Sequence, residues 1–271
     1  MTPMISFIGG GNMARALVSG LLRNNHAADR LCVSDPNADA REEFAALGVC
    51  VLNDNPQSVS QADIVVLAVK PQSLAAVAGE LATSLRPEQL VISIAAGVRV
   101  VTLSRWLGGH QRIVRAMPNT PALVQAGATG LYAGESIKAD ERAQAESLLR
   151  AVGVCVWVES EALLDSVTAL SGSGPAYAFL VMEAMQAAGE KLGLDAATAR
   201  LLTLETLFGA ARLALESNED PAVLRARVTS PGGTTERGIA VLQQAGLPVA
   251  FEQALEAARA RAAELAALMD Q

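Results

Sequence analysis

The sequence predicts an α/β protein, with an N-terminal Rossmann-type, doubly wound sheet and an all-α C-terminal dimerisation domain. Up to about residue 160, short runs rich in Val, Ile and Leu alternate with helical segments, the pattern of βαβ units. A glycine-rich turn follows the first run and opens a helix. Beyond that point almost every segment has helical periodicity. We therefore predict a dinucleotide-binding domain at residues 1–160 and a helical substrate-binding and dimerisation domain at residues 161–271.

The predicted strands are short and apolar, as parallel strands covered on both faces must be. They are Met4–Ile8, Arg30–Ser34, Ile64–Ala68, Leu90–Ile94 and Arg112–Arg115, with Gly130–Tyr132 and Val154–Val158 extending the sheet. The helices between them include Asn12–Arg23, Asn37–Leu47, Val100–Leu107 and Ala139–Ala151. The C-terminal helices are Glu161–Ala169, Pro175–Leu192, Ala196–Glu216, Pro221–Val228, Thr234–Gln244 and Val249–Met269.

One C-terminal helix is too apolar to lie on a surface. Apolar residues between Leu201 and Leu215 cover most of its helical wheel, so that it must be buried all round. A domain of about 110 residues has little material to surround such a helix. We expect a second subunit to do so, with helices interleaved in a homodimer. The alternative is a central helix within one monomeric bundle.

Composition excludes several classes of partner. The chain has 271 residues, of which 51% are hydrophobic and 18% charged, with a net charge of −7 and 3% aromatic residues. Nucleic-acid binding would require basic patches and stacking rings, so we expect none. No run reaches the roughly 18 apolar residues of a membrane helix, and the first strand begins too early for a removable signal. We expect a cytoplasmic protein that does not bind membranes.

The three cysteines and two histidines do not form a metal-ligand pattern. Cys32 and Cys155 lie among valines and are typical of reduced core thiols, and Cys50 is far from both in sequence. His26 and His110 fall in predicted loops without ligand neighbours. We expect no metal site.

The segment Phe7–Ala14 has the pattern G-x-G-x-x-A between a strand and a helix. Gly9 permits the tight turn, Gly11 lets the backbone approach a pyrophosphate, and Ala14 allows the helix to pack closely on the strand. Because this context and an acidic residue after the next strand accompany the pattern, it predicts dinucleotide binding. The alternative is a purely structural turn.

Asp35 ends the second strand, where an acid usually binds the ribose 2′-OH and disfavours a 2′-phosphate. It argues for NAD. Ser34 and Asn37 are able to bind a phosphate, and Arg41 lies on the following helix. The choice between NADPH and NADH as the cofactor therefore stays open.

Three further loops follow predicted strands and should face the cofactor. Ala68–Pro71 contains Lys70, which is either a solvated loop residue or a cofactor contact. Ala95–Gly97 is small enough to admit a ribose or nicotinamide. In Pro118–Pro121, two prolines hold Asn119 and Thr120 in a stiff turn.

Thr229–Glu236 places two glycines and two threonines before a helix. Free backbone N–H groups and hydroxyls there form a cradle for a small anion. An alcohol dehydrogenase needs a general base, for which the chain offers only Lys70 or Lys191. A protonated imine needs mainly orientation and a proton source. The sequence thus favours an imine reductase acting on a small carboxylate.

The chain resembles the pyrroline-5-carboxylate reductase family over essentially its whole length. The resemblance rests on six segments in the family's order: Phe7–Ala14, Ala68–Gln72, Ser93–Val98, Arg115–Ala122, Leu170–Ala178 and Val228–Thr235. The last two, containing Ser-Gly-Ser-Gly-Pro-Ala-Tyr and Ser-Pro-Gly-Gly-Thr-Thr, are the most specific. The resemblance implies NAD(P)H-dependent reduction of 1-pyrroline-5-carboxylate to L-proline, by homodimers that assemble into larger rings such as a decamer.

The resemblance also implies site residues. Those lining the cofactor, NADP or NAD, are Gly9, Gly10, Gly11, Asn12, Met13, Ser34, Asp35, Asn55, Ala68, Val69, Lys70, Pro71, Ala95, Ala96, Gly97, Asn119 and Thr120. Those binding the substrate are Glu161, Ser230, Gly232, Gly233, Thr234 and Thr235. Backbone N–H groups hold the carboxylate, and the catalytic Thr235 hydroxyl reaches the ring nitrogen. For Glu161, a helix N-terminal charge is the alternative.

Two positions depart from the family. Asp35 stands where many members of the family have Ser or Thr. Arg227 stands where other members have other side chains, and we expect it to offer a cationic contact to the cofactor or the substrate. Two other functions stay open. A β-hydroxyacid dehydrogenase would use a lysine such as Lys191 on the helix after the Ser-Gly turn. A non-catalytic dinucleotide-binding module would not need the Gly-Gly-Thr-Thr cradle.

Overall fold

The computed structural model describes residues 2–270. Contacts divide the chain into two compact units. Among the described residues, the sheet unit contains 2–173 and 257–270, and the helical unit contains 174–256. The functional boundary that the sequence predicts near residue 160 stays a prediction.

The sheet unit has eight strands in the order β3-β2-β1-β4-β5-β6-β7-β8. Strands β1 to β6 are parallel to one another, β7 is antiparallel to β6, and β8 is parallel to β7. The strands are β1 (Ile5–Ile8), β2 (Leu31–Ser34), β3 (Cys50–Leu52), β4 (Ile64–Leu67), β5 (Leu90–Ser93), β6 (Ile113–Met117), β7 (Gly127–Ala133) and β8 (Gly153–Trp157). The order reverses between β1 and β4, which is the doubly wound arrangement. The predicted Rossmann-type sheet is therefore confirmed.

Helices cover both faces of this sheet. They are α1 (Asn12–Arg23), α2 (Ala38–Ala45), α3 (Asn55–Ser60), α4 (Pro71–Leu81), α5 (Val100–Trp106), α6 (Ala139–Leu149) and α7 (Leu163–Val167). Neighbouring residues of one strand point to opposite faces, so Phe7 joins a core cluster with Leu17 of α1, whereas Ile8 joins a second cluster with Leu74 of α4. The two core clusters hold helices against both faces of the sheet. Because β1 to β6 are parallel, the carboxyl ends of these strands meet along one edge.

Two local predictions need correction. Strand β3 was not predicted, because it has only three residues and lies at the sheet's edge with partly exposed side chains. The predicted helix Glu161–Ala169 begins later, at Leu163, and continues after Val167 as a π-helical turn over Thr168–Gly172.

The helical unit contains α8 (Gly174–Lys191), α9 (Ala196–Glu216), α10 (Pro221–Arg227), α11 (Thr234–Gln244) and the start of α12 (Leu247–Met269). Of the residues of α9, only Ala199 and Thr203 are buried in the chain. Leu201, Phe208 and Leu215 are exposed by 60%, 61% and 88%. The apolar helix is thus left uncovered by its own chain, and a partner is needed to bury it.

The end of α12 belongs to the sheet unit. Asp270 forms an ion pair with Arg99 and accepts a hydrogen bond from the Thr102 hydroxyl, and its carbonyl accepts one from Arg105 at 3.0 Å. The chain end is therefore fastened to α5. Within residues 2–270, no helix combines the length and the apolar character needed to cross a membrane.

Candidate active site

The glycine-rich turn connects β1 to α1 with an open N-terminus. Gly9 has φ of +103°, and a Cβ there would lie 2.9 Å from the Ala68 carbonyl oxygen, so that only glycine fits. Gly11 is the N-cap residue of α1, and a Cβ on it would meet no atom within 4 Å. Uncovered N–H groups at the positive end of a helix, with free space above them, suit a pyrophosphate.

Asp35 fastens this turn to the end of β2. Its two carboxylate oxygens accept hydrogen bonds from the backbone N–H groups of Gly10 at 2.7 Å and Asn37 at 2.8 Å. The Arg41 guanidinium donates to the Asp35 carbonyl at 2.7 Å. The acid therefore shapes the turn, and Arg41 brings a positive charge to the same corner.

Ser34, the last residue of β2, is hydrogen-bonded to Asn55. The buried Ser34 hydroxyl donates to the Asn55 side-chain oxygen at 2.7 Å, and the Asn55 amide donates to Glu80 at 3.0 Å. Asn55 is the first residue of α3. The end of β2 and the start of α3 are thus linked beside Asp35.

The loops after β4 and β5 also lie at the carboxyl edge. Lys70 is the N-cap residue of α4 and is exposed, and Pro71 begins that helix. Ala95 is buried, and Gly97 has φ of +74°. A Cβ on Gly97 would lie 3.7 Å from the Leu265 Cβ, so the end of α12 borders the loop that the sequence predicts for the nicotinamide.

Asn119 has a structural role in the loop after β6. Its amide nitrogen donates to the Ser171 carbonyl at 3.0 Å, and its side-chain oxygen accepts from the Ala128 N–H at 2.8 Å. The side chain is buried. Thr120, the next residue, is exposed and begins a 3₁₀ turn. Of the two residues predicted in this loop, Thr120 has the freer side chain.

Glu161 lies in the sheet unit, where it joins two elements. One of its oxygens accepts from the Arg115 guanidinium and from the Val100 N–H, at 2.8 Å and 2.7 Å. Val100 is the first residue of α5, so Glu161 stabilises that helix N-terminus. The helix whose N-terminus receives the negative charge of Glu161 is therefore α5, and not the helix that follows Glu161 in the sequence.

Arg115 belongs to this region, although it is not among the site residues predicted from the sequence. It is buried on β6, and with Arg99, Glu161 and Asp165 it lines a cavity of about 300 Å³. Burial raises the pKa of Asp165, and the charges of Arg115 and Arg99 partly oppose that rise. An arginine inside an otherwise apolar strand was the signal available in the sequence.

The loop before α11 lies in the helical unit. Gly232 has φ of +72°, and Gly233 is the N-cap residue whose N–H donates to the Ser230 carbonyl at 3.0 Å. Thr234 and Thr235 occupy the first turn of α11 and are exposed. The helix N-terminus therefore presents two hydroxyls beside backbone N–H groups, as an anion cradle requires.

Two acidic residues already contact this region. Glu236 accepts a hydrogen bond from the Gly232 N–H at 2.8 Å. Arg227 forms an ion pair with Glu219, so its guanidinium is partly engaged within the chain. A group of three or more His, Cys, Asp or Glu side chains suited to a metal ion is absent from residues 2–270.

The structure thus gathers the predicted cofactor residues at one edge of the sheet. Glu161 lies in the same unit, and the predicted substrate residues Ser230 to Thr235 lie in the helical unit. The hydroxyls and backbone amides that the sequence indicated are present at these positions, and their roles stay predictions.

Two family models match the chain. The model for pyrroline-5-carboxylate reductase dimerisation matches residues 161–265, and the model for NADP oxidoreductase, coenzyme F420-dependent, matches residues 4–97. The first match overlaps the uncovered α9, which therefore belongs to a dimerisation domain.

Relatives match the full chain. A pyrroline-5-carboxylate reductase of Pseudomonas aeruginosa is 51% identical over 100% of this chain and 99% of its own length. The structure of a pyrroline-5-carboxylate reductase from Coxiella burnetii has a TM-score of 0.93 at 51% identity, covering 98% of this chain and 99% of that one. That of Plasmodium falciparum pyrroline carboxylate reductase with NADP bound has a TM-score of 0.87 at 27% identity, covering 97% and 98%. With this sequence, fold and site, the chain belongs to the pyrroline-5-carboxylate reductase family.

Proposed function

We propose that the carboxyl edge of the sheet and the loop at residues 228–235 together carry out the reaction of this family. The function of the chain is NAD(P)H-dependent reduction of 1-pyrroline-5-carboxylate to L-proline, the final step of proline biosynthesis. The observation that carries the site assignment is the start of α11, where Gly232 and Gly233 leave the helix N-terminus open and Thr235 adds a hydroxyl.

The cofactor fits the β1–α1 turn. Free space above Gly11 and the absence of a side chain at Gly9 leave room for a pyrophosphate on the helix N-terminus. Asp35 and Ser34 lie at the ribose end, and Ala95 to Gly97 at the nicotinamide end. When bound, NAD(P)H supplies the hydride that reduces the imine carbon.

The remaining predicted cofactor contacts surround this path. They are Gly10, Asn12, Met13, Asn55, Ala68, Val69, Lys70, Pro71, Asn119 and Thr120. Asn119 would contribute mainly through its backbone, because its side chain is engaged with Ser171 and Ala128.

The chain's own residues bind and orient the substrate. The backbone N–H groups of Thr234 and Thr235, joined by that of Gly232 once the substrate displaces Glu236, hold the carboxylate, with the positive end of α11 adding to the attraction. The Thr235 hydroxyl contacts the ring nitrogen of the substrate and relays a proton from solvent to that nitrogen. Since a protonated imine already attracts hydride, this orientation supplies most of what the reaction needs. Glu161 would act near the nitrogen only indirectly, through Arg115.

Assembly completes the site in this proposal. Residues 161–271 act as the substrate-binding and dimerisation domain, and two copies interleave their helices to cover α9 in a homodimer. The partner's copy of the Gly-Gly-Thr-Thr loop then meets the cofactor edge, and dimers associate into a larger ring such as a decamer. We place the enzyme in the cytoplasm, where its cofactor is available.

The test compares Thr235→Ala with Thr235→Ser. Loss of the hydroxyl should lower kcat about 100-fold, within the range for a positioned proton-transfer group, whereas the Thr235→Ser enzyme should keep most of its activity. The dissociation constant for NADPH should be the same in both variants, because residue 235 contacts substrate only. Unchanged turnover in Thr235→Ala would refute the role of this hydroxyl.

The same preparation separates the family reaction from the two alternatives. Oxidation of NADPH with pyrroline-5-carboxylate, and no reaction with hydroxyisobutyrate and NAD, distinguishes a reductase from a β-hydroxyacid dehydrogenase. Cofactor binding without turnover would indicate the non-catalytic module.

A further inference from the structure

Two thiols face each other across the edge of the sheet. Cys32 of β2 and Cys50 of β3 are partners in the parallel register, so their side chains project from the same face. Their sulfur atoms are 3.5 Å apart. The proposed reaction uses neither thiol, and both are free.

The two cysteines differ in access to solvent. Cys50 is exposed, because β3 is the edge strand. Cys32 is 2% exposed, and burial raises the pKa of its thiol to about 12. One thiol can therefore meet a solute, while the other is held behind it.

Hydroxyls support the inner thiol. The Ser58 hydroxyl donates to the Cys32 sulfur at 3.3 Å, and the hydroxyls of Ser58 and Ser6 are 2.6 Å apart. A donor directed at the sulfur favours its thiolate and so opposes the effect of burial. The inner thiol is thus placed to attack its neighbour once that neighbour becomes electrophilic.

We propose that Cys50 and Cys32 form a reversible disulfide when a hydroperoxide oxidises the exposed thiol. The Cys50 thiolate attacks the peroxide oxygen, breaking the O–O bond, so that Cys50 becomes a sulfenic acid and an alcohol or water leaves. The Cys32 sulfur then attacks the Cys50 sulfur, and hydroxide leaves and takes up the Cys32 proton as water. Both thiols are oxidised by two electrons in total, and the peroxide is reduced by two.

The backbone geometry allows this bond. Adjacent strands lie about 4.8 Å apart, within the roughly 4.4–6.8 Å between Cα atoms of disulfides. The sulfur atoms must approach by about 1.5 Å to reach bonding distance, which side-chain rotation and a small shift of the edge strand supply. A bond between neighbouring strands is strained, and strained disulfides are readily reduced.

Formation of the Cys32–Cys50 disulfide should alter the ribose end of the cofactor site, a consequence that rests on the proposed function. Ser34 lies two residues beyond Cys32 on β2 and is hydrogen-bonded to Asn55. The next residue, Asp35, donates its N–H to the Leu52 carbonyl of β3 at 3.1 Å. Drawing β3 towards β2 displaces these contacts. The disulfide form should therefore bind NADPH more weakly while retaining its substrate loop.

Thiol titration tests the bond itself, independently of activity. In a Cys155→Ala background the chain keeps only the two thiols of the pair. After hydrogen peroxide, the denatured protein should have lost both, dithiothreitol should restore both, and mass spectrometry should identify peptides joined through Cys32 and Cys50. With Cys50→Ser added, the single buried thiol should survive the same treatment.

Three results would overturn the proposal. They are survival of both thiols, conversion of Cys50 to a sulfinic acid without a crosslink, and a crosslink between two chains on a non-reducing gel. The cofactor effect has its own readout, the KM for NADPH before and after oxidation. A several-fold rise that dithiothreitol reverses supports it, and an unchanged KM in fully crosslinked enzyme overturns that part while the disulfide stands.

Discussion

The Asp35 carboxylate accepts a hydrogen bond from the Gly10 backbone N–H at 2.7 Å, joining the acid after β2 to the glycine turn after β1. Its second oxygen holds the Asn37 N–H at 2.8 Å. The residue thus has a structural task in addition to the negative charge that it brings to the predicted ribose end of the cofactor site. Replacing it should change both the shape of the turn and the selectivity between cofactors.

Asp35→Ser should shift cofactor preference towards NADPH. Removing the carboxylate abolishes its repulsion of a 2′-phosphate, and we expect the ratio of kcat/KM for NADPH to that for NADH to rise about tenfold, equivalent to about 1.4 kcal/mol. The absolute kcat/KM with NADH should fall, because serine cannot hold both N–H groups. Steady-state kinetics with each cofactor measure the ratio.

The matched control is Asp39→Ser, on the exposed first turn of α2. It removes the same charge from the same helix region without touching the glycine turn, and it should leave the ratio nearly unchanged. An equal shift in both variants would mean that net charge, not the position of Asp35, sets the preference.

Glu236→Gln should strengthen substrate binding. Glu236 lies at the third position of α11 and reaches back to the Gly232 N–H, like the acid of a capping box. In the proposed site the substrate carboxylate uses the same N–H, so the charge of Glu236 repels it. Glutamine keeps an acceptor without the charge, and the KM for pyrroline-5-carboxylate should fall about two- to fivefold, the scale of a charge near a helix end.

Glu135→Gln, at an exposed position between β7 and α6 in the sheet unit, serves as the control for lost charge. Its KM should match that of the parent chain, and kcat should be unchanged in both variants. A rise in KM for Glu236→Gln would show instead that the carboxylate is needed to shape the loop.

Sequence reasoning predicted those parts of the molecule that local pattern determines. Strands such as β1 and β2 are apolar runs bounded by turns. The cofactor-binding role of Asp35 rests on its place after β2 and stays a prediction. Strand β3 was not predicted, because three residues at the edge of a sheet are too few to show a recognisable hydrophobic period. The direction of β7, antiparallel to β6, depends on the length of the connection and not on composition.

Contacts between distant residues were the harder part. The Arg115–Glu161 pair joins residues far apart in sequence, and a charged residue within a strand does not reveal its partner. The return of α12 to the sheet unit places Ala262 and Ala266 in buried positions. An alanine-rich period predicts a helix but does not identify the surface on which it packs.

His110 should make the free energy of unfolding depend on pH. The residue is buried, its Nε2 lies 2.9 Å from the Gln89 carbonyl, and burial lowers its pKa below the ordinary value of 6.5. As pH falls below 6.5, the unfolded chain takes up a proton that the folded chain rejects, so stability should fall by up to about 1.4 kcal/mol per pH unit until the folded pKa is reached.

Urea unfolding of His110→Gln at several pH values checks this. Glutamine retains an N–H donor for the Gln89 carbonyl but does not titrate, so the slope below pH 6.5 should flatten. A slope that His110→Gln leaves unaltered would assign the pH dependence to other groups.

Gly20→Ala should destabilise the sheet unit, whereas Gly79→Ala should not. Both glycines lie inside helices, α1 and α4. A Cβ on Gly20 would lie 2.5 Å from the Ala151 carbonyl oxygen, while a Cβ on Gly79 would meet no atom within 4 Å. We expect a loss of about 2–3 kcal/mol from overpacking at Gly20 and a gain of about 1 kcal/mol from helix propensity at Gly79.

Urea unfolding of the two variants, at one pH and one protein concentration, measures both changes against the parent. The concentration must match because a dimer's apparent stability depends on it. The Gly20→Ala chain should also bind NADPH more weakly, since α1 carries the glycine turn and must move outward to admit the methyl group. Equal stability of the two variants would mean that α1 can move away from Ala151 at no cost in free energy. The close packing of α1 at Gly20 would then not be what positions the glycine turn.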